Sequence, residues 1–145
     1  MWRNALVVLS LLLTACAVTR PTPDFYPTPG SPNVRVYLDR ATQREVPVFD
    51  LAGQWEADYV RSGREVVRIS QSEDTFEGVK TIGSPNVPAG SLTIKGSVHG
   101  NLVQCGVYHL RSGWSATTYA KINPDGNSFT CGSVNGNLTF RRLRQ

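Results

Sequence analysis

Leu92-Thr93-Ile94-Lys95-Gly96-Ser97-Val98-His99-Gly100-Asn101-Leu102-Val103-Gln104-Cys105 reads as strand, turn and strand. Leu92, Ile94, Gly96 and Val98 fall on one face of an extended chain, and Thr93 and Lys95 fall on the other. This is the half-buried alternation of an antiparallel sheet. The turn His99-Gly100-Asn101 offers residues that tolerate positive φ. Working outward, the same grammar recurs. Turns are expected at Ser62-Gly63, Ser72-Glu73-Asp74, Gly83 through Gly90, Arg111-Ser112-Gly113, Asn123 through Asn127 and Asn135-Gly136. With the first turn they separate eight runs rich in Val, Ile, Thr, Phe, Tyr and Trp. No window supplies an amphipathic helix of useful length. The fold class implied is all-β, an eight-stranded antiparallel up-and-down barrel over residues 48–145, because closure removes exposed edges.

The expected inward faces follow from parity. They are Leu51, Gly53, Trp55, Ala57 and Tyr59 in the first strand, Trp114, Ala116, Thr118, Ala120 and Ile122 in the sixth, and Leu138 and Phe140 in the last. Phe76-Glu77-Gly78, Val103-Gln104-Cys105 and Phe129-Thr130-Cys131 each follow a turn, as one strand solution reused.

The chain has 145 residues, enough for one domain, and a net charge of +4. That charge is too mild to imply nucleic acid as a partner. The start, Met1-Trp2-Arg3-Asn4 followed by the apolar run Ala5–Leu13, has the length and polarity of a signal peptide and is too short for a membrane span. It ends Leu13-Thr14-Ala15-Cys16, which resembles the lipobox of bacterial lipoproteins. The resemblance implies removal of residues 1–15, lipidation of Cys16 with palmitate-class acyl chains, and anchorage to a membrane through them. Ala17 rather than Asp after the cysteine implies the outer membrane, facing the periplasm.

Residues 16–47 read as a disordered, lipid-anchored tether. Five of the nine prolines (Pro21, Pro23, Pro27, Pro29 and Pro32) lie there, favouring an extended spacer. Phe25 and Tyr26 read as stray apolar residues. Residues 33–38 alternate as a strand, either an extra edge strand or a segment ordered by a partner. Residues 39–46 are polar and helix-compatible.

Phe49-Asp50-Leu51-Ala52-Gly53-Gln54-Trp55 and the ending Leu138-Thr139-Phe140-Arg141-Arg142-Leu143 resemble the first and last strands of calycin barrels, which include the lipocalins. The resemblance implies a lipocalin-like barrel closed at one end by Trp55 with Arg141 or Arg142 packed across it. A guanidinium over an indole gains about 0.5–2 kcal/mol. Asp50 through Trp55 is also similar to the start of the bacterial alkaline-protease inhibitors. That likeness implies a periplasmic inhibitor whose N-terminal segment, here Asn33–Val48, enters a protease cleft. The family's disulfide lies in the first half of its barrel, whereas Cys105 and Cys131 lie in the second.

Outside the cytoplasm Cys105 and Cys131 are expected to oxidise to a disulfide. In a meander they sit on strands five and seven, about 10 Å apart, and a bulge or strong curvature at Gly106 and Gly132 must close that gap. His99 and His109 have no partner at ligand spacing, so no metal is expected. No nucleophile elbow, phosphate loop or dinucleotide fingerprint is present, so no cofactor and no catalytic residue are assigned. Glu56 and Asp58 read as a solvated face, and Arg141, Arg142 and Arg144 as a soluble basic end. The function implied is a non-catalytic lipoprotein whose barrel binds a partner protein or envelope assembly. The alternatives are a carrier of a small apolar ligand, with Trp114, Tyr59 and Tyr108 at the ligand or rim and Gly83–Gly90 as lid, and the protease inhibitor.

Overall fold

The computed structural model describes residues 20–59, 63–83, 87–133 and 136–144. The expected leader and the expected lipidation site Cys16 lie outside the described residues, as does the side chain of Tyr59. The described residues form eleven strands: β1 Val34–Asp39, β2 Arg44–Phe49, β3 Gly53–Tyr59, β4 Gly63–Ser72, β5 Thr75–Ile82, β6 Leu92–His99, β7 Leu102–His109, β8 Gly113–Trp114, β9 Thr118–Lys121, β10 Ser128–Ser133 and β11 Gly136–Arg142. The main sheet is antiparallel, in the order β10-β11-β3-β4-β5-β6-β7-β8, and β9 pairs with β7.

That sheet curls through 244° and does not close, which corrects the expectation of a closed barrel. The cause lies in the run read as one sixth strand. Ser115 donates its backbone N–H to the Val107 carbonyl (2.8 Å), and its Oγ accepts the Val107 N–H (3.0 Å). A side chain therefore takes the place of the next ladder bond, and the chain leaves the sheet until Thr118. The returning strand β9 is short, and it meets β10 at the single bridge Ile122↔Phe129 rather than along a ladder. Ala120 and Ile122 are buried as parity predicts, whereas Trp114 and Ala116 are not.

Elsewhere the alternation sets the packing. Leu51, Trp55, Ala57, Val67, Ile69, Phe76, Ile94, Val98, Val103, Phe129, Leu138 and Phe140 are almost fully buried in one core. At a register shift beside Gly78/Val79, Thr93 and Ile94 are both buried, so the extra residue of the bulge also turns inward. Two charged groups occupy inward positions. Glu65 on β4 and Lys80 on β5 form an ion pair, 3% and 2% exposed. Lys80 is covered by the loop after β5, accepting from the Gly90 N–H (2.8 Å) and donating to the Ser91 carbonyl (3.0 Å). Burying two charges is favourable only when each meets the other, which this pairing provides.

Residues 33–49 form a hairpin of their own, β1 against β2, and residues 39–46 contain a turn and a strand instead of a helix. Asp39 is the reason. Its carboxylate accepts from the N–H groups of Ala41 (2.8 Å) and Thr42 (3.4 Å) and from the Thr42 hydroxyl (2.9 Å), which closes the turn locally. The base of β2 belongs to the core, with Val48 and Phe49 each 1% exposed. Gln71 clamps it to β4, accepting the Leu51 N–H (2.6 Å) and donating to the Phe49 carbonyl (3.1 Å).

The proline-rich residues from Arg20 onward lie along the domain as a strap. Asn101, 2% exposed, accepts the Asp24 N–H (2.8 Å) and donates its own N–H to the Phe25 carbonyl (3.0 Å). Lys121 pairs with the Asp24 carboxylate at 2.7 Å. Phe25 meets Phe49 edge-to-face at 6.1 Å, and the Tyr26 hydroxyl bonds His99 Nε2 at 2.9 Å. Prolines cannot donate to a sheet, so this segment is held by its few free N–H groups and by two aromatic rings.

Candidate functional site

Two of the residues singled out from sequence, Trp55 and Arg142, meet inside the curl. Trp55 donates its indole N–H to the Leu51 carbonyl (2.8 Å), and its ring packs on Phe129 at 5.2 Å. The guanidinium of Arg142 lies 4.5 Å above the indole. Arg142 also donates to the carbonyls of Ala52 (2.8 Å) and Asp50. Burial pulls its pKa below the usual arginine value, and the nearby Asp50 carboxylate opposes that shift. Arg141, one residue earlier, points outward and is exposed. Gly53 starts the strand at φ +127, a conformation that side chains rarely adopt. Phe129 stacks on Phe140 at 4.8 Å behind the tryptophan. Side chains thus fill the inside of the curl around Trp55.

Cys105 on β7 and Cys131 on β10 form a disulfide with Cα atoms 6.9 Å apart. The curvature of the sheet supplies the approach, because inward-facing positions two strands apart converge when a sheet curls. Both cysteines are buried, beside Thr118 at the start of β9. The Thr118 hydroxyl donates to the Gly132 carbonyl (3.1 Å). The bridge therefore crosses the seam where the ladder is missing.

The outward face carries an open groove of about 810 Å³ across β4 to β8. Two cross-strand rows make it. One runs Ser70–Glu77–Lys95–Gly106, and the other runs Ser72–Thr75–Ser97–Gln104. Same-face neighbours in such rows are about 5 Å apart, so their polar groups converge on one strip. The end wall is Trp114, placed by β8 and the Ser115 clasp. A methyl group on Gly106 would lie 3.7 Å from the indole, an ordinary contact distance, so the ring sits just above the β7 backbone at Gly106. Tyr108 meets Trp114 edge-on at 5.5 Å, and Lys95 Nζ sits 4.5 Å from the ring centre. Trp114 remains 36% exposed.

Trp114 and Tyr108, expected at a ligand rim, are thus together, on the outside of the sheet rather than at a barrel mouth. Of the expected lid, Val87 is buried at 8%. His99 holds the strap, and Glu56 pairs with exposed Arg64 at 3.7 Å on the outer surface. Among the described residues no group of three or more His, Cys, Asp or Glu is gathered as a metal site. The groove itself was missed from sequence. Its only signal was the run of small polar residues at outward parity in β4, β5 and β6, which reads equally as a solvated face. Compared with family models, curated proteins and solved structures, the chain matches none.

Proposed function

We propose that the chain is a non-catalytic lipoprotein, anchored to the outer membrane through Cys16, that binds an envelope assembly through the outer surface of its curled sheet. The observation that carries the binding mode is the filled interior. Trp55, Phe129 and Phe140, each at most 2% exposed, pack with Val67, Ile94 and Val107 into one core inside the curl, the space where a calycin carrier would hold an apolar ligand. What remains open is the outer groove beside Trp114. The anchor rests on Leu13-Thr14-Ala15-Cys16 and the apolar run before it.

Two measurements test this reading. Cells fed labelled palmitate should label the wild-type chain and leave Cys16→Ala unlabelled and free of the membrane fraction. Equal labelling of both would remove the anchor. Native mass spectrometry of the full chain, purified in detergent, should show no small-molecule adduct that is lost on denaturation. Such an adduct would restore the carrier.

A further inference from the structure

We infer that the outer groove is a saccharide-binding site, taking a neutral hexose or N-acetylhexosamine chain; this names the ligand class of the binding surface proposed above. The inference starts from the kind of polar group present. Ser70, Ser72 and Ser97 carry hydroxyls, each able to donate and to accept, and the Thr75 hydroxyl, which donates to the Ser72 carbonyl (2.9 Å), still offers an acceptor. Gln104 adds an amide with both functions. A polyhydroxylated ligand is the natural complement, since each of its hydroxyls also does both. The groove holds one anion and one cation, Glu77 opposite Lys95, so it selects for no net charge. That argues against an anionic headgroup or a basic peptide as occupant.

The second element is apolar and flat. Trp114 is partly exposed at the end of an otherwise polar strip. An indole offers a rigid apolar surface of the sort that matches the C–H face of a pyranose. The exposed Lys95 chain lies over part of the ring on a flexible stem and can move aside or donate to a sugar oxygen. A groove open along its length admits a chain rather than a single enclosed sugar. An extended peptide would instead seek a sheet edge, where backbone groups are free. The groove runs across the middle of the sheet, where β5, β6 and β7 already use their backbone bonds on each other.

The test is titration of the full chain, in detergent, with chitotetraose, cellotetraose and maltotetraose, read by tryptophan fluorescence. Shallow polar sites bind such ligands with dissociation constants on the order of 1 mM. At least one sugar should change the emission in a saturable way. That change should vanish in Trp114→Phe and weaken about tenfold in Gln104→Ala, with circular dichroism unchanged in both. Amide shifts should map to residues 70–77, 95–97 and 104–106. No saturable response to any of the three sugars, or one undiminished in Gln104→Ala with shifts mapping elsewhere, would overturn the inference. Binding of a cell-wall stem peptide at the same residues without any glycan would also overturn it. Sedimentation with isolated cell-wall sacculi, against vesicles of lipopolysaccharide, tells which glycan is the source. Because the titration needs no lipid, its failure is separate from a failure of the anchor, which palmitate labelling reads.

Discussion

Adjacent arginines at the C-terminal end have opposite fates. Arg142 stacks on Trp55 and donates to two backbone carbonyls, whereas Arg141 faces solvent. Arg142→Met should therefore cost about 2–4 kcal/mol, from one cation–π contact and two charged hydrogen bonds. Arg141→Met should stay within about 0.5 kcal/mol, and urea unfolding of both variants checks the contrast. A second residue-scale expectation concerns acid. Lys121 and Asn101 hold the Asp24 carboxyl below its ordinary value. A depressed carboxylate stabilises above its unfolded pKa, and that contribution fades as pH falls through the folded value. Below about pH 4 the strap should loosen ahead of global unfolding. The protection factor of the Asn101 amide, its exchange slowed relative to a free amide at the same pH, should fall there in the wild type, and in Asp24→Asn it should be low and nearly independent of pH.

At the scale of elements, the weak point is the seam between β9 and β10. Cys105→Ala with Cys131→Ala should cost about 3 kcal/mol in the chain-entropy account of a loop of this length. Amide exchange should accelerate first in β9, which has a partner ladder on one side only. Much of this level could be read from sequence. Parity alone placed Leu51, Trp55, Ala57, Ile94, Val98, Leu138 and Phe140 inside, because half-buried strands must alternate. The same parity, extended two residues past Phe140, selects Arg142 over Arg141. What escaped sequence reading has a common cause. Trp114-Ser115-Ala116-Thr117-Thr118 keeps its alternation, but the Ser115 hydroxyl competes with the ladder, and no pattern of hydropathy records that. The Asp39 turn displaced a helix-compatible reading in the same way. The groove was hidden because it belongs to no single strand; its rows run across four of them.

At the scale of the whole molecule, the boundary between tether and domain falls earlier than composition implies. Proline content reports backbone stiffness and says nothing of what the chain rests against. A chain beginning at Asp50 would lose Val48 and Phe49 from the core along with the Gln71 clamp. Relative to one beginning at Arg20 it should lose about 3–5 kcal/mol, the usual cost of removing one large buried side chain, or fail to fold. Thermal melts of the two chains decide this. The pinned strap also changes the geometry of search. Thirty-one free residues between Cys16 and Val48 would let the domain roam up to about 110 Å from a lipid. With Asp24 fixed to Asn101 and Lys121, seven residues (17–23) would remain between the proposed anchor and the domain, a leash of about 25 Å at full stretch. Under the proposed anchor at Cys16, a domain so leashed would sample a thin shell over the bilayer. Its effective concentration towards anything in that shell would rise steeply, so that even a millimolar contact would be occupied there while the same target farther off would never be met.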